Sequence, residues 1–327
     1  MTKKTNLAII GFGYMGEVYK KACLELYKDK KIETYYKYDF PGMLKGFSLK
    51  AIVDTRFESS IYNSEEGIWY FSSLQKMLTH SDPEVDAAII ATPIKTHYSI
   101  ASELIQNGIS LLIEKSVCET AREVKKLIDL AKKYQVRIMP GHVERYNPVT
   151  LDAAEAVQYK VYGKVKKYCF IRESSKPERV KDSLVIDKLI HDLDLAECIF
   201  GRYRISDVET KKIDGEIMEC MVSTSHRKGV HGTIVSSWLV NEKKRNLVIN
   251  FERGILECDL IEKKIEVNRY GELSKHISGY KNNQIKDQLV DFIAYKNKYI
   301  KTLVTIKDAL KAACLIDEVN RRIDHGF

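Results

Sequence analysis

Asp187 and His191 are four residues apart in a stretch whose apolar residues recur with helical periodicity. On a helix this spacing places both side chains on one face. A histidine gains or loses a proton near neutral pH, and a neighbouring carboxylate can orient its ring. The pair therefore suits general acid–base chemistry, such as removal of the proton from an alcohol. A lone histidine on an amphipathic helix is more often a buried structural side chain, so this interpretation needs independent support.

A second feature with chemical meaning is the glycine turn GFGYMG near the start of the chain. It follows an apolar strand-like run and opens a helical segment. Three glycines at this spacing permit a tight turn, close approach of a pyrophosphate and close helix packing. The free N–H groups at the helix start would face the phosphates. The turn predicts a dinucleotide cofactor, held by Gly11, Phe12, Gly13, Tyr14, Met15 and Gly16.

The residue that ends the second predicted strand distinguishes NAD from NADP. The sequence LKAIVDTR places Asp54 there, with Thr55 and Arg56 directly after it. A carboxylate accepts hydrogen bonds from the ribose hydroxyls and repels a 2′-phosphate, so it favours NAD. Arg56 could instead hold that phosphate. We therefore expect these three residues to contact NAD, with NADP as the less favoured alternative.

The elements that position these residues alternate regularly over residues 6–142. Short β-branched runs alternate with amphipathic stretches, as in βαβ units around a parallel sheet. We predict strands at Leu7–Ile10, Leu49–Val53, Ala87–Ala91, Ser110–Glu114 and Val136–Met139, and helices at Gly16–Tyr27, Leu74–His80, Thr96–Asn107 and Thr120–Tyr134. Residues 28–48 exceed a simple link, and we expect a surface loop there or a contact for a substrate or partner. This half is expected to be a doubly wound α/β domain.

Beyond Pro148 the pattern changes to consecutive strand-like runs joined by turns, which indicates an antiparallel sheet. We predict strands at Val165–Arg172, Glu219–Ser225, Gly232–Leu239, Asn246–Phe251, Gly254–Leu260 and Lys264–Arg269, and helices at Leu151–Tyr159, Leu184–Phe200, Asn283–Lys296 and Thr305–Asp324. The second half is therefore expected to be an α+β domain.

Composition excludes several classes of protein. With 327 residues the chain suits two domains of roughly 100–200 residues. Its 53 lysines and arginines exceed its 45 aspartates and glutamates by 8, but they are spread in mixed clusters, whereas nucleic-acid-binding proteins concentrate them. No apolar run reaches the roughly 18 residues of a membrane span, and no signal peptide pattern precedes the first strand. We expect a cytoplasmic protein with no nucleic-acid or membrane partner.

No metal site is predicted. The 7 cysteines are scattered, without a CxxC pair, and we expect reduced core residues. Asp192 and Asp194 follow His191 closely and could in principle bind a metal. Solvation or helix capping is the expected role of these two carboxylates.

Four further motifs follow the glycine turn in a fixed order: IIATPIKTH (Ile89–His97), LLIEKS (Leu111–Ser116), MPGHVERYNP (Met139–Pro148) and VIDKLIHDLDL (Val185–Leu195). Together the five motifs resemble the glucose-fructose oxidoreductase / inositol dehydrogenase / MocA (Gfo/Idh/MocA) family of NAD(P)-dependent oxidoreductases, over essentially the whole chain. The resemblance implies a Rossmann domain at residues 1–142 and, at residues 143–327, an α+β domain with a large, mainly antiparallel open sheet. That sheet would form homodimers or homotetramers, and the active site would draw on both domains.

The resemblance also assigns residues. It implies catalysis by Lys115, Asp187 and His191, with the lysine beside the developing alkoxide and the aspartate orienting the histidine. Ser116 replaces the family's usual proline, which puts in doubt the bend, often a cis peptide, that proline imposes. Further expected cofactor contacts are Thr92, Pro93, His97, Glu114 and Lys115; expected substrate contacts are Lys115, His142, Arg145, Tyr146, Asn147, Asp187 and His191. Structural roles, such as joining the two domains, are the alternative for the weaker positions.

The segments GHVERYNP and IHDLDL resemble, within that family, the UDP-N-acetylglucosamine or glucosaminuronate 3-dehydrogenases and the sugar ketoreductases. The resemblance implies hydride transfer between a nicotinamide and a secondary alcohol or ketone of a sugar, at C3 of a UDP-linked amino sugar. A cyclitol or free-sugar dehydrogenase is the alternative enzyme. A cofactor-binding sensor with decayed catalysis is the alternative outside enzymes, motivated by Ser116.

Overall fold

The computed structural model describes residues 4–28, 47–227, 229–272, 274–297 and 301–325. The described parts of the chain form two compact units. The first unit lies within Met1–Val143 and Asn282–Ala313, and the second within Glu144–Lys281 and Cys314–Phe327. The predicted loop at residues 28–48 falls outside the described residues except at its ends.

The first unit contains β1 (Thr5–Ile10), α1 (Tyr14–Lys28), β2 (Phe47–Val53), β3 (Ile61–Asn63), β4 (Ile68–Phe71), α2 (Leu74–Thr79), β5 (Ala87–Ile90), α3 (Ile94–Gln106), β6 (Ser110–Glu114), α4 (Ala121–Tyr134) and β7 (Ile138–Gly141). Within the described residues the strands form one sheet in the order β3-β4-β2-β1-β5-β6-β7. All neighbours are parallel except β3 and β4. Without the hairpin strand β3, this order is the 3-2-1-4-5-6 order of dinucleotide-binding sheets.

Local sequence explains these elements. Every residue of β5 and β6 is buried, as expected for parallel strands covered on both faces. Helix α4 begins with a capping box, in which Thr120 and Glu123 each accept a hydrogen bond from the other's backbone N–H. The sequence therefore predicts this sheet and its helices well.

The helix α7 (Gln284–Lys296) belongs to the first unit, although the predicted domain boundaries place it with the second half. Its apolar residues Leu289, Phe292 and Ile293 pack in one buried cluster with Leu7 of β1 and Leu26 of α1. Burial of this apolar face against the Rossmann sheet explains why the chain returns to the first unit.

The second unit contains α5 (Pro148–Gln158), β8 (Val165–Ser175), a π-helical turn (Val185–Leu189) that runs into α6 (Ile190–Phe200), β9 (Tyr203–Ile213), β10 (Glu216–His226), β11 (His231–Ser237), β12 (Leu239–Phe251), β13 (Gly254–Asp259), β14 (Lys264–Arg269) and β15 (Lys275–Ile277). The last helix of the chain is α8 (Ile306–His325). Among the described residues the strands form an eight-stranded sheet in the order β15-β14-β13-β12-β8-β11-β10-β9. Its neighbours are antiparallel except β8 and β11, so the predicted fold class is confirmed.

Four strands were not predicted: β3, β4, β9 and β15. The strand β9 lies at one edge of its sheet, and from Ser206 onward its residues are mostly exposed and half of them are charged. Charged, solvent-facing residues are typical of edge strands but lack the apolar alternation that signals a strand in the sequence. Of the helices described, none combines the length and the apolar character needed to cross a membrane.

Candidate functional site

The glycine turn lies between the ends of β1 and β5, where the strand order reverses. Gly11 has a φ of +92°, and a Cβ there would lie 2.7 Å from the carbonyl oxygen of Ala91. A Cβ at Gly16 would lie 2.2 Å from the Gly11 oxygen. At Gly13 a Cβ would meet nothing within 4 Å. The turn is therefore closely packed at its first and third glycines and open at its second, which fits the approach of a pyrophosphate.

Asp54 follows β2 and faces the glycine turn. Its Oδ2 accepts a hydrogen bond from the Phe12 amide at 2.7 Å, and its Oδ1 accepts from the amide and Nε of Arg56, both at 2.9 Å. Arg56 also donates to the Phe12 carbonyl oxygen at 2.5 Å. Partial burial acts to raise the pKa of Asp54, but the hydrogen bonds from Arg56 and Phe12 outweigh it and hold the pKa below its ordinary value.

The side chains of the predicted turn residues differ in what they face. The Phe12 ring packs against Phe57 at 6.1 Å and Tyr70 at 6.3 Å between centroids. Tyr14 is 60% exposed, and Met15 packs at the edge of the core. The backbone of the turn is thus the part presented to a ligand, while the Phe12 side chain holds the turn against the β2–β4 side of the sheet.

His97 connects two of the predicted cofactor loops. It is buried near the start of α3, with Nε2 2.8 Å from the carbonyl oxygen of Thr92 and Nδ1 2.9 Å from that of Ser116. Thr92 follows β5, and Pro93 is the exposed residue that precedes α3. Each ring nitrogen thus lies within hydrogen-bond distance of a carbonyl oxygen, one after β5 and one in the bend after β6. Contact between His97 and the cofactor stays a prediction.

Glu114 and Lys115 lie at the carboxyl end of β6. The Lys115–Ser116 peptide is cis, as the family's proline motif would have it, although Ser116 stands in place of the proline. Glu114 is 9% exposed, and the buried Tyr19 hydroxyl donates to its Oε1 at 2.6 Å. Its Oε2 accepts from the Lys115 amide at 3.2 Å. The carboxyl ends of parallel strands form the ligand-binding edge of such sheets, and Lys115 lies at this edge, directly after β6.

In the second unit, Asp187 and His191 lie one turn apart on the same side of the helical segment, and both are half-buried. Asp187 is in the π-helical turn, where its amide donates to the Ser183 oxygen at 2.8 Å. Lys188, between them, is buried and donates to the oxygens of Ser174 and Ser237. Burial lowers the pKa of Lys188 to about 8.

The aspartates after His191 are in buried ion pairs, so the expected solvation or capping is wrong. Asp192 binds Nε and Nη2 of Arg172 at 2.8 and 2.7 Å, and Asp194 binds Nε and Nη2 of Arg145 at 2.8 and 2.6 Å. Within the described residues no cluster of metal-ligating side chains is found. The apolar neighbours of these aspartates, in IHDLDL, are the signal of burial that sequence reasoning missed.

The weaker substrate predictions have structural contacts in the second unit. Arg145 is 5% exposed and committed to Asp194, and Tyr146 is fully buried. Asn147 caps α5 by accepting from the Val149 amide at 3.1 Å and donates to the Leu260 oxygen at 2.9 Å. His142 is buried after β7, in the first unit. These contacts suit the structural alternative, and substrate contact by the four residues stays a prediction.

The predicted site residues thus fall into two groups. In the first unit the structure brings together the glycine turn with Asp54 and Arg56, and it links Thr92, His97 and Ser116. In the second unit it pairs Asp187 with His191 by helix geometry. Tyr19, which supports Glu114, was not predicted, because its only sequence signal is a position on the buried face of α1.

Comparison with known proteins supports this geometry. A family model described as an oxidoreductase family with an NAD-binding Rossmann fold, Gfo/Idh/MocA, matches residues 5–142. UDP-N-acetylglucosamine 3-dehydrogenase of Acidithiobacillus ferrooxidans is 26% identical over 193 residues, 58% of this chain and 60% of that protein. The scyllo-inositol 2-dehydrogenase (NAD(+)) of Bacillus subtilis is 32% identical over 125 residues, 37% of this chain and 36% of that protein. In both cases the matched part is less than two thirds of the relative.

Solved structures resemble the chain over nearly its full length. The Acidithiobacillus ferrooxidans enzyme aligns with a TM-score of 0.77 and 19% identity, covering 97% of this chain and 96% of its own. The WlbA dehydrogenase of Bordetella pertussis, in complex with NADH and UDP-GlcNAcA, aligns with a TM-score of 0.79 and 16% identity, covering 99% and 98%. At these identities the likeness establishes the fold.

Proposed function

We propose, from the match of residues 5–142 to the Gfo/Idh/MocA oxidoreductase family model, that the chain transfers a hydride between a nicotinamide cofactor and a secondary alcohol or ketone of a sugar. The observation that carries the proposal is the glycine turn at the reversal of strand order, closed at Gly11 and Gly16 and open at Gly13. A turn of this shape suits a dinucleotide, and packing within the protein does not require a glycine at the open position, Gly13.

NAD is the proposed cofactor. Backbone N–H groups of the glycine turn would hold its phosphates, and Asp54 would hold its ribose hydroxyls. The Arg56 guanidinium group compensates the charge of Asp54 through two hydrogen bonds. NADP therefore remains the alternative, with Arg56 as the group that would receive its extra phosphate. When bound, the nicotinamide supplies the hydride acceptor or donor.

Three side chains would carry the proton chemistry. The His191 imidazole would take the proton from the substrate hydroxyl oxygen. The Lys115 ammonium group would stabilise the negative charge that develops on that oxygen. Asp187, one turn before His191 on the same side of its helix, would orient the imidazole ring and favour its charged form. Glu114 would lie next to Lys115 and fix its backbone.

A UDP-linked amino sugar, oxidised at C3, is the proposed substrate class. The support is the GHVERYNP and IHDLDL segments, together with likeness to UDP-N-acetylglucosamine 3-dehydrogenase and to WlbA. A cyclitol is the second candidate, since the scyllo-inositol 2-dehydrogenase has the higher identity over its shorter match.

We also propose that the chain acts as a homodimer or homotetramer through its second sheet. Ile171 pairs with Val235, which pairs with Met221 on the next strand, so the three side chains lie side by side on one face. All three side chains are half-buried, whereas side chains on the other face of the sheet, such as Phe170 and Val222, are fully buried. The half-buried face is therefore the one that we propose as the contact between copies of the chain. Light scattering of the purified chain measures the assembly.

Turnover tests the proposed reaction. Reduction of NAD and of NADP is measured with a panel of UDP-sugars, inositols and free aldoses, for the wild type, Lys115→Ala and His191→Asn. We expect activity on a UDP-amino sugar and a loss of about 10²–10⁴-fold in His191→Asn, the usual contribution of a general base. Lys125→Ala and His231→Asn, at exposed positions, serve as matched controls. Equal rates in all variants would refute the residue roles, and cofactor binding without any turnover would favour the sensor alternative.

A further inference from the structure

Behind Lys115 the first unit buries a chain of three polar side chains, of which the proposed reaction gives a role to Glu114 alone. Tyr19 of α1 and Gln288 of α7 are both 0% exposed, and Glu114 at the end of β6 is 9% exposed. The Tyr19 hydroxyl oxygen lies 2.6 Å from Glu114 Oε1 and 3.0 Å from Gln288 Oε1. Side chains from three elements far apart in sequence thus meet at the Tyr19 hydroxyl.

The hydrogen-bond capacity of the three groups fixes the direction of the chain. A tyrosine hydroxyl has one hydrogen, so it can donate either to the carboxylate or to the Gln288 amide oxygen, and the shorter contact is with the carboxylate. The Gln288 Nε2 is buried and has no hydrogen-bond partner in the described structure. Turning the amide by half a rotation lets Nε2 donate to the Tyr19 oxygen, which satisfies both groups. Donation then runs from Gln288 to Tyr19 to Glu114.

The Glu114 carboxyl group is held largely by neutral donors. Burial raises its pKa, and the Tyr19 hydroxyl is the strongest of the effects that oppose this. The other groups that face it are Lys115, through its charge and its amide, and His97 of α3. The Tyr19 hydroxyl is therefore the main hydrogen bond that favours the ionised form of a carboxyl group directly before Lys115.

We propose that Tyr19 is a positioning residue of the site: its hydroxyl, supported by Gln288, holds the Glu114 carboxylate in place and ionised, and so keeps a negative charge beside Lys115. The inference rests on the proposed role of Lys115. A carboxylate in this position favours the charged ammonium group of Lys115 and anchors the bend at Ser116. Tyr19 itself would touch neither substrate nor cofactor.

Stability as a function of pH tests the proposal without a substrate. In Tyr19→Phe the ring stays and the hydroxyl is lost, so the ionised carboxylate loses a donor while the protonated acid loses little. We expect the thermal midpoint of the variant to fall below the wild type by a margin that widens by on the order of 3 °C between about pH 4.5 and about pH 7.5. A difference in thermal midpoint that is the same at the two pH values would overturn the proposal.

Tyr203→Phe is the matched control. Tyr203 is also a buried tyrosine, and its hydroxyl donates to the backbone oxygen of Leu193 at 3.0 Å. Its acceptor carries no charge, so the loss in midpoint should not change over this pH window. A pH-dependent loss in the control as large as that in Tyr19→Phe would also overturn the proposal, because it would assign the effect to tyrosine burial in general.

Turnover provides the second measurement, on whichever substrate the panel identifies. We expect the midpoint of the acidic limb of the kcat/KM–pH profile to shift to a pH about one unit higher in Tyr19→Phe, and not to shift in Tyr203→Phe. In a Glu114→Gln background, Tyr19→Phe should have no further effect on the profile. If kcat/KM falls by the same factor at every pH and the acidic limb keeps its midpoint, Tyr19 has only a packing role. If no substrate turns over, the proposed function fails, while the stability measurement still decides the Tyr19–Glu114 contact.

Discussion

Two buried glutamates, Glu114 in the first unit and Glu144 in the second, have different hydrogen-bond partners and opposite pKa shifts. Glu144 accepts hydrogen bonds from two guanidinium groups, Arg172 at 3.3 Å and Arg245 at 2.8 Å. Glu114 accepts from the Tyr19 hydroxyl and a backbone amide. Burial acts to raise the pKa of both, but the arginine charges outweigh it at Glu144, whose pKa is lowered, whereas that of Glu114 is raised.

The comparison distinguishes a buried carboxylate that is neutralised by ion pairs, Glu144, from one whose charge can act on a neighbouring catalytic group, Glu114. Around Glu144 each buried charge has an opposite charge within hydrogen-bond distance, and the cluster ties β8 and β12 to the segment that precedes α5. Around Glu114 a single carboxylate lies next to the lysine that the proposed reaction needs. Buried ion pairs add little to stability on balance but are costly to break. Neutral donors hold the Glu114 carboxylate without a paired cation, so its charge stays available to Lys115.

Removal of one partner from the second-unit cluster should have the largest effect. Arg172→Met leaves Asp192 buried with an uncompensated charge and removes one of the two guanidinium groups at Glu144, and we expect a loss of about 3–5 kcal/mol in the free energy of unfolding. Urea unfolding followed by circular dichroism measures it. Lys244→Met, at an exposed position on the neighbouring strand β12, should change stability by less than about 0.5 kcal/mol. If Arg172→Met lowers the free energy of unfolding by no more than Lys244→Met does, the comparison between the two regions is wrong.

The two glutamates should give pH dependences of opposite sign, with effects of about 1–2 kcal/mol each. The folded-state pKa of Glu144 lies below its ordinary value, so its contribution is present above about pH 4.5 and is lost as the pH falls through the folded pKa. The folded-state pKa of Glu114 lies above its ordinary value, so it destabilises the fold as the pH rises from about 4.5.

Glutamine variants separate these contributions. Relative to the wild type, Glu144→Gln should become less stable as the pH rises from about 4 to about 7, and Glu114→Gln should become more stable over the same range. Thermal midpoints at intervals of about half a pH unit measure both. Curves that run in the same direction for the two variants would contradict the comparison.

The exposed ion pair between Arg56 and Asp54 should have the smallest effect on stability. The Arg56 side chain is 67% exposed, so Arg56→Ala should leave the thermal midpoint unchanged. It leaves Asp54 uncompensated, and we expect binding of NADPH to weaken by about tenfold relative to NADH. Fluorescence titration with both cofactors measures the ratio. The exposed Arg122→Ala on α4 is the control, and an unchanged ratio in Arg56→Ala would remove Arg56 from cofactor selection.

The sequence was a good guide wherever a short stretch determines the structure. The buried runs of β5 and β6, the helix α4 and the glycine turn depend on residues within a few positions of one another, and these were predicted. Asp187 and His191 lie in one continuous helical segment, as their spacing predicts, whereas their roles stay predictions. The π-helical turn that carries Asp187 has no such local signal.

Contacts between distant residues could not be predicted. Tyr19 and Glu114 are separated by 95 positions, and Glu144 and Arg245 by 101. Arg145 was recognised as part of a polar cluster, but its partner Asp194 is 49 positions away and was expected to be solvated or to cap a helix. A single sequence shows that a polar side chain is present, whereas its burial and partner depend on tertiary packing.

The return of residues 282–313 to the first unit has a consequence for biosynthesis. A ribosome releases the chain from its N-terminus, so the Rossmann sheet emerges long before α7, which covers its buried cluster and carries Gln288. Until that helix emerges, apolar side chains such as Leu7 and Leu26 lack part of their cover, and exposed apolar surface of this kind favours aggregation. A truncated chain that ends at residue 142 would carry the same defect permanently.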